Sequence, residues 1–248
     1  MAKERADVLL VLRGQAPSRS RAQAMIMAGA VVDQDGRRID KPGMLLADAV
    51  ELRIKGAPQK YVSRGGLKLE AALQTFGVEV QDRVCLDVGA STGGFTDCLL
   101  QRGARKVYAV DVGYGQMAWA LRQDPRVVLK ERCNIRTAPD DLIAEPADVL
   151  VVDVSFISLK LVLPKALQYL TADAWVVALV KPQFEAGRDA IGKGGIVRDP
   201  AAHARVVREI EALFASLGLH RVQVCPSPIT GADGNREFLM AGQQGGAA

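Results

Sequence analysis

Valine-rich stretches that alternate with helical ones constrain this chain more than any other feature. Residues 84–88, 107–111, 127–129, 149–154 and 175–180 read as strands. They are apolar at nearly every position rather than at every second one, which is the pattern of strands buried on both faces of a parallel sheet. Residues 66–76, with Gly77 as a stop, and residues 95–102, 116–122, 159–170 and 201–217 read as helices, and 220–224 and 237–241 add two late strands. The βαβ rhythm predicts a doubly wound α/β sheet with helices on both faces. A smaller block stands ahead of this body. Residues 6–12 read as a short apolar helix, Ser18 and Ser20 offer N-caps for a second helix closed by Gly29, and residues 30–32 and 50–54 read as short strands. The DQDG at 33–36 lacks the remaining ligands of a calcium loop and reads as a plain turn. A Gly-, Pro- and polar-containing linker at about 55–63 divides the chain into an α+β module, 1–59, and a body, 60–248.

Charge separates the two parts. The formal net charge of +4 lies wholly in residues 1–60, where 11 Lys and Arg face 7 Asp and Glu; the rest of the chain is balanced. A small basic module on a neutral body points to a polyanion, most commonly nucleic acid. Aromatics at 5% make charge, rather than base stacking, the main source of such contact. Arg19 and Arg21 flank the start of the second helix, where the helix dipole adds to their attraction for phosphate. No apolar run approaches the roughly 20 residues of a membrane span, and the first residues carry no signal-peptide core or cleavage pattern. Cys85, Cys98, Cys133 and Cys225 form no CxxC pair, which favours reduced thiols over disulfides or zinc. The expectation is a cytoplasmic protein with no metal and no membrane contact.

Two glycine patterns follow strands. Cys85–Asp97, CLDVGASTGGFTD, sets Gly89, Gly93 and Gly94 between a buried strand and a helix, with Ala90, Ser91 and Thr92 in the loop and Phe95 just beyond. Asp111 ends the next strand, 22 residues after Gly89, where a carboxylate can accept both hydroxyl protons of a ribose. The spacing is GxxxGG, not the GxGxxG of typical nicotinamide dinucleotide sites. The second pattern, 187–193, satisfies GxxxxGK, but Gly194 follows where a P-loop needs Ser or Thr for magnesium, so a nucleoside triphosphatase is rejected. The long polar stretch 185–199 reads either as a mobile loop over the substrate or as a disordered connection.

Four ionisable residues converge on one sheet edge. Asp153 and Lys181 close neighbouring buried strands at the carboxyl edge, which also carries the Gly89–Gly94 loop. Glu237 starts the last strand, and an antiparallel course brings it to the same edge. Lys68 stands early in the helix before the first body strand, which returns from that edge.

Residues 5–54 resemble an S4 RNA-binding domain, through RADVLLVLRGQAPSRSRAQAMIMAGAVVDQDGRRIDKPG and the following VELRI. The body resembles the FtsJ-type RNA 2′-O-methyltransferases through YVSRGGLKLEAAL, DVGASTGGFTD, VYAVDVGYGQ, NIR, DVSFISL, VKPQFEAG and GNREFL. Together they resemble the TlyA family, also labelled haemolysin, over essentially the whole chain. The resemblance implies a Rossmann-like doubly wound methyltransferase sheet behind a small α+β S4-like domain. It implies S-adenosylmethionine as cofactor, held by 89–95, Asp111, Val112, Asn134 and Asp153. It implies a Lys–Asp–Lys–Glu tetrad at Lys68, Asp153, Lys181 and Glu237; of these, Lys181 is expected to take the hydroxyl proton, because a nearby sulfonium and desolvation both disfavour an ammonium. RNA contacts fall to Arg5, Arg19, Arg21, Arg64 and Arg136. The acceptor is a cytidine ribose hydroxyl of 16S or 23S ribosomal RNA, with ribosomal subunits as partner and no protein partner required. Three rival classes follow. A membrane-lytic protein needs an apolar span or a strongly amphipathic helix; a pure RNA-binding or ribosome-assembly factor has no need of the tetrad; a nicotinamide oxidoreductase leaves the basic module unexplained.

Overall fold

The computed structural model describes residues 3–47, 50–55, 60–192, 194–231 and 234–245, without the Arg188 side chain. Residues 56–59 of the linker, Lys193 of the GxxxxGK pattern and the last three residues of the Gly- and Ala-rich tail lie outside the described residues. The chain divides into two compact units, Met1–Gln59 and Lys60–Ala248.

In the first unit, helices α1 (Ala6–Leu12) and α2 (Arg19–Met27) pack with two small antiparallel pairs. Strand β1 (Lys3–Arg5) pairs with β3 (Leu45–Ala47), and β2 (Val31–Asp33) with β4 (Leu52–Ile54). Leu9, Leu10, Ala22, Ile26, Val31 and Leu52 form the core. Ser18 caps α2 by accepting from the Arg21 N–H, and Gly29 takes the positive φ that ends the helix. The Asp33 carboxylate accepts from the Asp35 and Arg37 N–H groups, which makes 33–36 a self-contained turn. β1 and β3 have no counterpart in the sequence reading, because three-residue edge strands carry too few alternations to show a period.

Asp7 is fully buried at the start of α1 and accepts hydrogen bonds from Arg5, Arg19 and Gln23 at 2.8–3.0 Å. The Arg5 guanidinium, the largest influence, holds this carboxyl well below the usual carboxylate range. Such a group contributes stability that is complete above the ordinary carboxylate pKa and is lost as pH falls through the lowered native one. Asp7→Asn is expected to cost about 1.5–3 kcal/mol at neutral pH, towards the lower figure because both guanidiniums are half-exposed. The deficit should close on strong acidification. Protection free energies of the α1 and α2 amides from native-state hydrogen exchange measure this, and equal protection in the two proteins at pH 7 would refute it.

The second unit is built on a seven-stranded sheet of order β10-β11-β9-β8-β5-β6-β7. Its parallel strands are β5 (Val84–Val88), β6 (Lys106–Val110), β7 (Val127–Lys130), β8 (Ala147–Val152) and β9 (Leu170–Val180). β11 (Phe238–Gln243) runs antiparallel to both β9 and β10 (His220–Pro226). Alternate residues serve two cores. Leu86, Val88, Leu150, Val152, Val176 and Ala178 face α6 (Leu159–Ala166) and α8 (Pro200–Ser216). Cys85, Val107, Val149, Val151, Val177 and Leu179 face α3 (Gly65–Phe76) and α4 (Gly94–Gln101). Helices on both faces are why these strands read as continuous apolar runs.

Several boundaries differ from expectation. Of 116–122 only α5 (Trp119–Arg122) is helical. The helix expected over 159–170 ends at Ala166 and passes through a 3-10 turn, Leu167–Tyr169, into β9, which begins five residues earlier than expected. Pro164 in α6 and the Thr171–Asp173 polar stretch masked that junction. Glu237 precedes the last strand rather than starting it. The 185–199 stretch holds a 3-10 turn, Arg188–Ala190, and a Gly192–Ile196 bridge, and α7 (Pro182–Glu185) precedes it. Among the described residues, 187–192 does not run from a strand into a helix.

Candidate active site

The strand order reverses at β5, whose neighbours β6 and β8 lead off in opposite directions. A crevice opens at the carboxyl ends of the strands at such a point, and ligands of α/β proteins bind there. Gly89 follows β5 with φ +88°, and a Cβ there would lie 2.3 Å from the Asp153 carbonyl oxygen. Only glycine lets the loop after β5 run this close to the end of β8.

Two cavities meet at this point. One, about 360 Å³, is lined by Asp111, Val112, Asn134, Ile135 and Phe156. The other, about 280 Å³, is lined by Arg64, Lys68, Thr92, Gly94, Phe95 and Lys181. Gly89, Ser91, Asp153 and Ser155 border both. The first volume lies in the range of small-ligand sites. Its donor set fits a nucleoside. The Asp111 carboxylate accepts the Ser91 N–H at 2.7 Å and the Gly113 N–H at 2.6 Å. A carboxylate has about four acceptor sites, which leaves room for two ribose hydroxyls. Asn134 uses its side-chain oxygen to cap the 3-10 turn Ile135–Thr137, which fixes its amide at the cavity wall. Of the glycine-loop residues, Ser91 and Thr92 are exposed, whereas Phe95 is buried against α3 and Gly65.

All four tetrad residues stand at this edge, as two ion pairs. Lys68 Nζ lies 2.5 Å from Glu237 Oε2, and the two residues are 8% and 3% exposed. Gly231 packs over this carboxylate so closely that a Cβ would sit 2.2 Å from Glu237 Oε1. Lys181 Nζ lies 2.6 Å from Asp153 Oδ1 and donates to Ser155 Oγ at 2.8 Å. Its ammonium also stands 5.9 Å from the Phe184 ring centroid, within cation–π range. The expected arginines separate into groups. Arg64 lines the second cavity, and Arg136 is exposed on the 3-10 turn beside Asn134. In the first unit, Arg5 and Arg19 both bind Asp7, and Arg21 is exposed on α2.

Four side chains here escaped the sequence reading. Asp87 is fully buried beneath the glycine loop, where Thr96 Oγ1 donates to it at 2.6 Å. Burial pushes its carboxyl up to about 7, and the Asp153 and Asp111 carboxylates add to the shift. A carboxylate inside an apolar strand was the available signal. Ser155 and Phe156 lie on a loop and Glu185 ends the single-turn helix α7, where no periodicity marks a side chain. Phe156 is 91% exposed with φ +63°, a conformation that bulky residues seldom adopt.

A mostly parallel sheet with a single antiparallel strand inserted beside its edge, and a cavity at its switch point whose lining fits a nucleoside, is the frame of a methyltransferase-type α/β protein. The FtsJ-like methyltransferase profile matches residues 61–244, and the chain belongs to that family. It is 46% identical over 239 residues to the 16S/23S rRNA (cytidine-2′-O)-methyltransferase TlyA of Mycobacterium tuberculosis, covering 96% of this chain and 89% of that one. It is 41% identical over 236 residues to Hemolysin A of Brachyspira hyodysenteriae, covering 95% and 98%. A solved structure from Streptococcus thermophilus is similar at a TM-score of 0.76 and 48% identity, over 99% of this chain and 90% of that one. Among the described residues, no helix is long and apolar enough to cross a membrane, and no group of three or more potential ligands could hold a metal ion.

Proposed function

We propose that this chain methylates the ribose 2′-hydroxyl of a cytidine in 16S or 23S ribosomal RNA, using S-adenosylmethionine, in the cytoplasm. The observation that carries the reading is the pairing of Lys181 with Asp153, which borders both cavities, together with that of Lys68, on the wall of the second cavity, with Glu237. A binding protein has no use for two lysine–carboxylate pairs at a cofactor crevice, and desolvating them is costly.

When bound, the cofactor supplies a methyl group already activated on sulfur. The protein's part is alignment and removal of one proton. Asp111 would hold the cofactor ribose hydroxyls, the 89–94 loop would leave room beside its backbone, and Asn134 would stand towards the base. Asp153 and Ser155 hold Lys181 Nζ at two positions, so that its remaining face meets the acceptor hydroxyl. Lys181, acting as the free amine after releasing its own ammonium proton to solvent, takes that proton and becomes the ammonium partner of Asp153. Lys68 and Glu237 orient the acceptor ribose from the other side of the cavity. Arg64 and Arg136 receive phosphates at the rim. The basic first unit, in this reading an S4-like RNA anchor, contributes Arg5, Arg19 and Arg21, with Asp7 presetting two of the three guanidiniums. Attachment of this kind weakens steeply with salt.

The test uses the full chain, labelled S-adenosylmethionine and purified ribosomal subunits, with ribose methylation mapped by resistance to alkaline cleavage. One or more cytidines should become resistant. Asp111→Ala should weaken cofactor binding by about 1.5–3 kcal/mol, the range for hydrogen bonds to a charged group. Label appearing on a base, or none on RNA at all, would sink the reading, and unchanged calorimetric affinity would remove Asp111 from the site.

A further inference from the structure

We propose that Glu185 is a positioning residue, joining the loop after β8 to the loop after β9 so that Asp153 and Lys181 meet in one geometry. The inference rests on the reading of those two residues given above. The ends of β8 and β9 fix the backbones of Asp153 and Lys181, but their side chains follow the loops beyond. Residues 153–158 form the first loop; α7 forms the second. Three contacts join them. Lys181 reaches Ser155, the Phe156 and Phe184 rings meet with centroids 5.1 Å apart, and Glu185 binds the start of α6.

The third contact is the firmest. Glu185 Oε2 accepts from Ser158 Oγ at 2.6 Å and Oε1 accepts from the Leu159 N–H at 2.8 Å. Ser158 Oγ in turn accepts from the Lys160 N–H as the cap of α6. A carboxylate from one loop thus satisfies orphan donors at a helix start that ends the other, where the dipole favours negative charge. The loop needs an outside restraint. Phe156 holds a left-handed φ, a strained conformation for a bulky residue that persists only when the surroundings impose it. Without Glu185, relaxation of Phe156 would carry Ser155 away from Lys181.

The charged groups around Glu185 come from two elements, α6 and α8. Lys160 of α6 favours its carboxylate form and Glu209 of α8 opposes it, while those two pair with each other at 2.9 Å. Arg205 of α8 donates to the Ala186 carbonyl and lies 3.8 Å from Glu209. Burial, the largest influence, raises the Glu185 carboxyl above its ordinary value. Protonation turns one oxygen into a donor and removes an acceptor, so acid should loosen the joint at a higher pH than it would for an ordinary glutamate.

Single-turnover methyl transfer to ribosomal subunits tests this with full-length E185Q and E185A, and K181A as the control for the underlying reading. Transfer should fall about 10-fold in E185Q and about 10–100-fold in E185A, the scale of a small misplacement of reacting groups. S-adenosylmethionine affinity should change less than transfer does, since Glu185 itself borders neither cavity, while Ser155 and Phe156, which it restrains, border the first. The acid limb of log rate against pH should steepen in the parent protein below the Glu185 titration and keep a single slope in E185Q. Transfer in E185Q within twofold of the parent, or losses equal to the fraction unfolded by circular dichroism, overturns the proposal. Loss confined to K181A overturns this inference alone; parental rates in both K181A and E185Q overturn it together with the reading beneath it.

Discussion

Lys181→Arg should lose methyl transfer nearly as completely as Lys181→Ala, by about 10²–10⁴-fold, the usual contribution of general acid–base catalysis. A guanidinium keeps the positive charge and can still pair with Asp153, but it cannot give up a proton near neutral pH. Lys181 is only 9% exposed, so the larger arginine also has to fit. Lys181→Met, close in length and uncharged, controls for that. If proton acceptance is the role, Arg and Met fail alike; if positive charge positions the ribose, Arg retains transfer and Met does not. Cofactor and RNA affinities should change little in any of them, because Lys181 acts on the acceptor oxygen. Single-turnover transfer near the parental rate in the arginine variant would reassign Lys181 as an electrostatic positioner.

The tetrad was legible because each member sits where chain topology, rather than packing detail, decides position. Asp153 and Lys181 are the first residues beyond β8 and β9, and Glu237 immediately precedes an antiparallel strand, so the sheet alone delivers them to one edge. Asp111 follows the same rule after β6. The pairing within the tetrad was not legible. Lys68 and Glu237 are 169 positions apart, and their contact depends on the close approach allowed by Gly231. Nor was the Asp7 cluster, in which Arg5 and Arg19 serve a buried carboxylate as well as facing outward. A charge count sees both arginines but not their partner. α7 and the β3 edge strand escaped because one helical turn or three strand residues are shorter than the window in which periodicity shows. Element type survived best where burial on both faces left an unbroken apolar run, and failed where polar residues opened β9 at Thr171–Asp173.

Lys68→Met alone should be among the most destabilising single changes in the second unit, because it strands Glu237 without its partner in a nearly dry site. Breaking a buried ion pair by removing one member costs about 3–5 kcal/mol. For a unit of this size, each kcal/mol moves the melting temperature by about 2–4 °C, so a fall of roughly 6–20 °C is expected. Low exposure of both partners leaves little solvent screening to soften it. Lost transfer in Lys68→Met therefore says nothing about chemistry, since the fold is damaged as well. The informative protein is the double variant Lys68→Met with Glu237→Gln, which removes both charges and leaves no unpaired ion. Its melting temperature should recover most of the loss, as neighbouring sites that share one interaction are strongly non-additive. If the pair orients the acceptor ribose, transfer should stay depressed in this refolded variant by 10-fold or more, roughly the scale expected for misplaced reactants. A double variant that melts like the parent and transfers methyl at the parental rate would make Lys68 and Glu237 a structural strut. The chemistry would then rest on Lys181 and Asp153 alone.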